Sequence, residues 1–286
     1  MITMNRSGRR WGTGLAVLSL LGVLSLLSLA TVGLAQWRRG GGDPRASGRG
    51  GVPTWEVDSQ MVDDTFTFVR IKYDSYGYGR GGGWQTDFRD SDLNFSLRLQ
   101  QLTSLKLNPE PIVLELTDPR LFDYPFLYII EPGRMTLSPP EAEALRRYCL
   151  NGGFVMIDDF WGDQEYANLA RNLRSVFPDR SPAEVPLSHE IFHCVYDLQE
   201  KPQVPALNAA RRGGGHGEYR PGSDTSRAIY RSITDDEERI MIFICHNTDL
   251  GDGWEREGQD KWYFEEYSVK KAYPMGINIV TYAMTH

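Results

Sequence analysis

Acids and histidines stand in this chain at spacings that can do chemistry. Asp158 and Asp159 close the apolar stretch NGGFVMIDDFWGD. One of two neighbouring acids tends to have a raised pKa, which suits a general base or a metal ligand. The competing reading has one of them capping the next helix and the other solvated. His189 and His193 stand four apart in HEIFH, the spacing that puts two imidazoles on one helix face, as in zinc sites. Pro186 upstream and the β-forming Cys194, Val195 and Tyr196 downstream leave little helix to hold them. A loop whose histidines hydrogen-bond across a cleft is the alternative. DLGDGWE offers Asp249, Asp252 and Glu255 among turn-permitting glycines, which hard cations such as calcium favour, although it does not match the EF-hand pattern. It reads equally as an Asx-rich turn with Trp254 packed beneath it. Asp159, His189, His193 and Asp249 are the candidate ligands for a divalent metal, the one cofactor these residues suggest.

Nucleophilic catalysis has less to stand on. No serine or cysteine occupies a GxSxG or GxCxG elbow. Cys149, Cys194 and Cys245 have no CxxC spacing, and their odd number argues against a disulfide framework. Cys245 beside His246 is the nearest thing to a reactive thiol, weighed against a buried structural cysteine.

The elements that must position these groups follow an α/β pattern. Residues 66–73 alternate apolar and polar as a strand, 112–116 form a short second strand, and 126–130, 154–157 and 240–245 are uninterrupted apolar runs, as strands buried on both faces should be. A helix capped by Asp90, Ser91 and Asp92 follows a Gly- and Tyr-rich loop that ends in Trp84, Thr86 and Asp87. That loop fits neither phosphate-binding fingerprint. Ser138, Pro139 and Glu141 open a second helix, which Gly152 and Gly153 stop. Residues 164–177 and 274–285 complete the helices, and 201–224 read as an exposed polar flap. Strand, helix, strand with short links means right-handed parallel crossovers. The polar groups after successive strands are Lys72 and Asp74, then Glu131, then Asp158 and Asp159, then Asn247, Asp249 and Asp252. In a doubly wound sheet they converge on one edge, where such folds bind ligands.

The chain's ends and charge bound the rest. Arg6, Arg9 and Arg10 precede an apolar run at 15–35 that is long enough to cross a bilayer and ends in small residues suited to signal cleavage. Signal peptide and membrane anchor both remain open, and a twin-arginine signal lacks the residues that normally follow the pair. Either way the basic leader stays in the cytoplasm and the rest faces outward, as a cell-membrane protein or a periplasmic one. Residues 36–64 read as a flexible Gly- and Arg-rich linker, and 65–286 as the folded domain. The formal charge is −7, and −10 without the leader's arginines, so nucleic acid is excluded as a partner.

Several stretches together, WQTDFRDSDLNFSLRLQQLTSL, GGFVMIDDFWG, HEIFHCVYDL, NTDLGDGWE and YPMGINIVTYAMTH, resemble the bacterial domain-of-unknown-function family 4159. The resemblance implies a flavodoxin-like, class I glutamine-amidotransferase-like doubly wound α/β fold in membrane-associated or exported bacterial proteins. That superfamily includes amidotransferases with a cysteine nucleophile after the central strand, and trehalose-utilisation-like proteins without it. Here the corresponding position falls near Asp158 to Phe160 and holds no cysteine, so the resemblance points to the nucleophile-free branch. A carbohydrate ligand is implied by that branch, and Trp84, Trp161 and Trp254 near the expected crevice suit it. The expected ligand-binding residues are therefore Trp84, Asp87, Asp158, Asp159, Trp161, His189, His193, Asn247, Asp249, Asp252 and Trp254. The leading expectation is a non-amidotransferase ligand-binding or scaffolding domain, held at the membrane by its N-terminal helix among envelope proteins. The rival is a metal-assisted hydrolase using Asp158, Asp159, His189, His193 and Asp249.

Overall fold

Runs such as FLYII and FVMI have no polar position to turn toward water, so both faces of those strands must be covered. The computed structural model describes residues 49–60, 64–77, 83–212 and 217–286, of which Val52–His286 form one compact unit. In chain order the unit runs β1 (Val69–Lys72), β2 (Asp74–Ser75), α1 (Asp90–Leu102), β3 (Ile112–Glu115), β4 (Phe126–Ile130), β5 (Met135–Thr136) and α2 (Pro139–Leu150). It continues through β6 (Phe154–Phe160), α3 (Gly162–Val176), β7 (Ala183–Glu184), α4 (Leu207–Arg211), β8 (Ile229–Thr234), β9 (Ile240–His246) and α5 (Leu250–Glu255). A π-helical stretch, Phe264–Ala272, leads into the last helix, α6 (Tyr273–Thr285).

The fold is mixed α/β around a seven-stranded sheet of order β3-β1-β4-β6-β9-β8-β7. The first five strands are parallel, and β8 and β7 add antiparallel at one edge. Side chains alternate between two cores. Phe68, Tyr128 and Phe243 face α1, α5 and α6, which contribute Phe95, Trp254 and Met275. Leu127, Val155 and Ile242 face α2 and α3, which contribute Leu145 and Leu169. Truncating any one of these to alanine removes about 2–5 kcal/mol.

Helix starts follow their local chemistry unevenly. Glu141 reaches back to the Ser138 amide at 2.8 Å, closing the capping box that opens α2. Asp90, Ser91 and Asp92 do not cap α1; they lie inside its first turn, and Asp92 instead pairs with Arg70 of β1. The apolar run of β6 suggests a strand ending at Ile157, yet the strand continues to Phe160, so Asp158 and Asp159 belong to it. Residues 229–234 form β8, which pairs antiparallel with β9 and so satisfies the backbone groups along that edge. Ahead of Thr65, the Trp55 indole donates to the Leu107 carbonyl at 2.7 Å and packs on the first core. The basic leader and the apolar run at 15–35 lie outside the described residues. Among the described residues, no helix is long and apolar enough to cross a membrane.

Candidate functional site

Strand order decides where polar groups meet. From β1 the chain crosses outward over α1 to β3, whereas from β4 it crosses over α2 to β6 on the other face. The order reverses between β1 and β4, and the crevice outside the carboxyl ends there is where such sheets bind ligands. Four segments reach it: the loop after β1 brings Asp87, the end of β4 brings Glu131, the end of β6 brings Asp159, and the turn after β9 brings Asp249 and Asp252. All five acids line one cavity of about 400 Å³.

The backbone is bent to aim them. Asp87, Glu131, Asp159 and Asn247 all have positive φ, at 58°, 49°, 54° and 59°. Such conformations cost a non-glycine residue on the order of 1–3 kcal/mol and gather at functional sites. A register shift between Ile157 and Phe160 in the β6–β9 pairing releases Asp159 from the ladder.

One carboxylate oxygen from each of Asp87, Asp249 and Asp252 lies within 4.8 Å of the others. Asp249 Oδ1 accepts from the Asp252 amide at 2.7 Å and caps α5. Asp252 Oδ2 accepts from the Leu207 amide at 2.7 Å, and its Oδ1 from Arg256 Nε at 2.9 Å. Asp87 Oδ2 is buried with no hydrogen-bond partner among the described residues. A methyl at Gly251 would stand 3.0 Å from that oxygen, so the absent side chain leaves room for it. Burial, then the charges of Asp252 and Glu255, push the Asp87 carboxyl well above its ordinary range, while Arg70 and Arg256 pull it back. Asp249 is raised by burial and then by Asp159 and Asp87; Asp159 is raised by burial and then by Glu131 and Asp87. Glu131 is raised by burial, against hydrogen bonds from the Gly83 amide and Thr86. So much buried like charge favours a compensating cation or bound protons.

Two of the arginines at the cavity are drawn into ion pairs, and Arg134 donates to the Gly77 carbonyl. Arg220 meets Glu165 at 3.0 Å and Glu218 at 3.2 Å, and Arg256 meets Asp252 at 2.9 Å. Glu218 and Arg220 come from the polar flap, whose composition suggests only exposure. Arg134, Glu165, Glu218, Arg220 and Arg256 are the charged lining residues that sequence reasoning missed.

The other expected site residues lie elsewhere. Asp158, below the cavity, accepts at Oδ2 from the Tyr128 hydroxyl at 3.2 Å and the Gly251 amide at 3.1 Å. Burial pushes its pKa up to about 7. Asn247 accepts from the Gly162 amide at 2.9 Å and donates to the Asp224 and Arg227 carbonyls, pinning the flap. Trp254 is core, stacked on Phe95 at 4.1 Å. Trp161 is buried, its indole N–H 3.3 Å from Asp159 Oδ1. Trp84 packs against the second core, and its carbonyl accepts from Arg70. No aromatic ring is among the described residues that line the cavity.

The histidines are not brought to Asp159 or Asp249. His189 begins a short 3-10 turn, Glu190–Phe192, rather than an α-helix, and accepts from the Ile191 amide at 3.2 Å. It packs on Tyr282, which also touches Phe154 at the amino end of β6, the far edge of the sheet. His193 lies between Asp197 and the Leu187 carbonyl. Four-residue spacing aligns imidazoles only on a helix, and this backbone is not one. Nor do Cys245 and His246 form a reactive pair. Burial raises the Cys245 thiol well above its ordinary value, and His246 is lowered to about 4 by burial and then by Arg231.

The fold and site define a mixed α/β domain with an acidic cavity at the carboxyl edge of its parallel strands. The chain matches the family described as Domain of unknown function (DUF4159) over residues 67–284, and it belongs to that family. No curated protein matches it.

Proposed function

We propose that this domain binds a hard divalent cation through Asp87, Asp249 and Asp252 and uses it to hold a small polar ligand in the cavity. The observation that carries this reading is the gathering of three carboxylate oxygens within 4.8 Å, one carboxylate having a buried oxygen without a partner among the described residues. An all-oxygen set favours Mg²⁺, Ca²⁺ or Mn²⁺ over zinc, which prefers nitrogen and sulfur. The ligand meets polar walls, so its recognition rests on hydrogen bonds and the cation. The parallel core, and β6 ending in Asp158, Asp159 and Phe160 without a cysteine, support the nucleophile-free branch of the amidotransferase-like superfamily. The apolar run at 15–35 supports attachment to a membrane with the domain facing outward.

A second reading, metal-assisted hydrolysis, is favoured by one feature. Asp159 has one oxygen oriented by the Trp161 indole and lines the same cavity, the arrangement a base needs to take a proton from water.

Calorimetric titration of the domain with Mg²⁺, Ca²⁺ and Mn²⁺ tests the main reading. One ion should bind per chain, and Asp87→Asn should abolish binding. A wild-type protein that binds none of the three, and whose melting temperature none of them raises, would refute it.

A further inference from the structure

Arg70 lies on β1 with no exposed surface, and it does not line the cavity. Its five N–H donors are all engaged. Nε donates to Asp92 Oδ2 at 2.9 Å, and Nη2 to Asp92 Oδ1 and, at 2.9 Å, to Ser91 Oγ. Nη1 donates to the Trp84 carbonyl at 3.0 Å and the Thr86 carbonyl at 2.8 Å. These groups flank Asp87, whose φ is 58° and whose carbonyl accepts from Ser91 Oγ at 3.0 Å.

A second arm runs the other way. The guanidinium lies 5.2 Å from the Tyr128 ring centre, and the Tyr128 hydroxyl donates to Asp158 Oδ2. That oxygen also accepts from the Gly251 amide, between Asp249 and Asp252. A methyl at Gly251 would come 2.8 Å from the Tyr128 hydroxyl and 3.0 Å from Asp87 Oδ2, so the two ligand-bearing segments meet across this glycine. One buried chain, Arg70–Tyr128–Asp158–Gly251, therefore braces both halves of the three-carboxylate cluster.

We infer that Arg70 is a positioning residue that fixes the spacing of Asp87 against Asp249 and Asp252, so that its loss costs a geometrically exacting ion such as Mg²⁺ more than a tolerant one such as Ca²⁺. The inference rests on the cation-site reading. Its chemistry is that Mg²⁺ demands a near-ideal octahedron at roughly 2.0–2.1 Å, whereas Ca²⁺ accepts six to eight oxygens at roughly 2.3–2.6 Å in flexible geometry. Loosening the brace should therefore penalise the smaller ion. Partners of metal ligands commonly change affinity by about 10–100-fold when removed.

The test compares Mg²⁺ and Ca²⁺ titrations of wild type, Arg70→Lys and Tyr128→Phe, with circular dichroism to show that each is folded. Arg70→Lys keeps the charge but has three donors in place of five. It should weaken Mg²⁺ about tenfold and Ca²⁺ by less than about threefold. Tyr128→Phe removes only the hydroxyl arm and should shift the ratio the same way, by less. It carries the test alone if Arg70→Lys does not fold. A folded variant that loses both ions equally, or neither, would overturn the inference, because loss of general stability does not change ion preference. If wild type binds neither ion the inference is overturned, and if it does not bind Mn²⁺ either, the cation-site reading itself has failed.

Discussion

Two polar clusters sit toward opposite ends of the central sheet, and they are built differently. Toward the amino end of β6, His193 is held by Asp197 at 2.6 Å and by the Leu187 carbonyl at 2.7 Å. Nearby, His286 meets Glu190 at 2.8 Å, and His189 accepts from the Ile191 amide of its own turn. At the carboxyl end, acids from four separate segments gather, three of them on positive-φ backbone, and Asp87 Oδ2 has no partner among the described residues. The first arrangement ties down a local turn. The second gives up stability to keep oxygens available, which is how binding sites are built. Residue types that look equally functional in the sequence thus separate by whether each is satisfied by its own partner or gathered with like charges at one cavity.

Substitutions should sharpen that contrast, beginning with the support beneath the cavity. Trp254→Ala removes the stack on Phe95 and should cost about 3–5 kcal/mol in denaturant unfolding. Trp254→Phe should leave cation affinity unchanged; a lost affinity there would make the indole part of the site. Asp249→Asn keeps a competent helix cap but removes a charge. It should lower cation affinity about 100-fold, or nearly 3 kcal/mol. It should also raise the stability of the cation-free protein by about 0.5–2 kcal/mol. A cation-free variant less stable than wild type would mean that the acids hold the fold together instead of straining it.

The pH dependence probes the same edge through Asp158. Its pKa rises from 3.8 unfolded to about 7 folded, so the native state holds a proton that the unfolded chain releases. That contribution is fully present below the unfolded value and lost as pH rises to about 7. Melting curves of cation-free wild type and Asp158→Asn should show the wild type losing ground between those limits. A constant difference would place the carboxyl in its ordinary range. The smallest effect belongs to the other end: His193→Ala should change cation affinity by less than roughly twofold. A larger loss would mean that the two clusters are coupled.

Much of the fold was legible because burial imposes a pattern. The runs at 126–130 and 240–245 and the Ser138–Glu141 box announce their elements directly. The site was half legible. Asp159, Asp249 and Asp252 declare themselves by following apolar strands. Asp87 is among the expected ligand residues as the end of a Gly- and Tyr-rich loop, but nothing in that loop shows that it meets Asp249 and Asp252. Glu218 and Arg220 looked like solvated flap residues, because nothing local shows that the flap returns over the sheet. The histidines misled for the opposite reason: their spacing carries meaning only on a helix, which the turn at Glu190–Phe192 denies them.

The parallel order of β1, β4, β6 and β9 also has a consequence for the time course of folding. Parallel neighbours are joined only through long crossovers, so their contacts are non-local and form slowly. Asp87 follows β1 and Asp252 follows β9, and no smaller part of the chain brings the two together. A cation at the proposed site would therefore have no partial native structure to reward. It would stabilise the finished sheet alone, slow unfolding more than it speeds folding, and leave any chain that stalls midway unliganded.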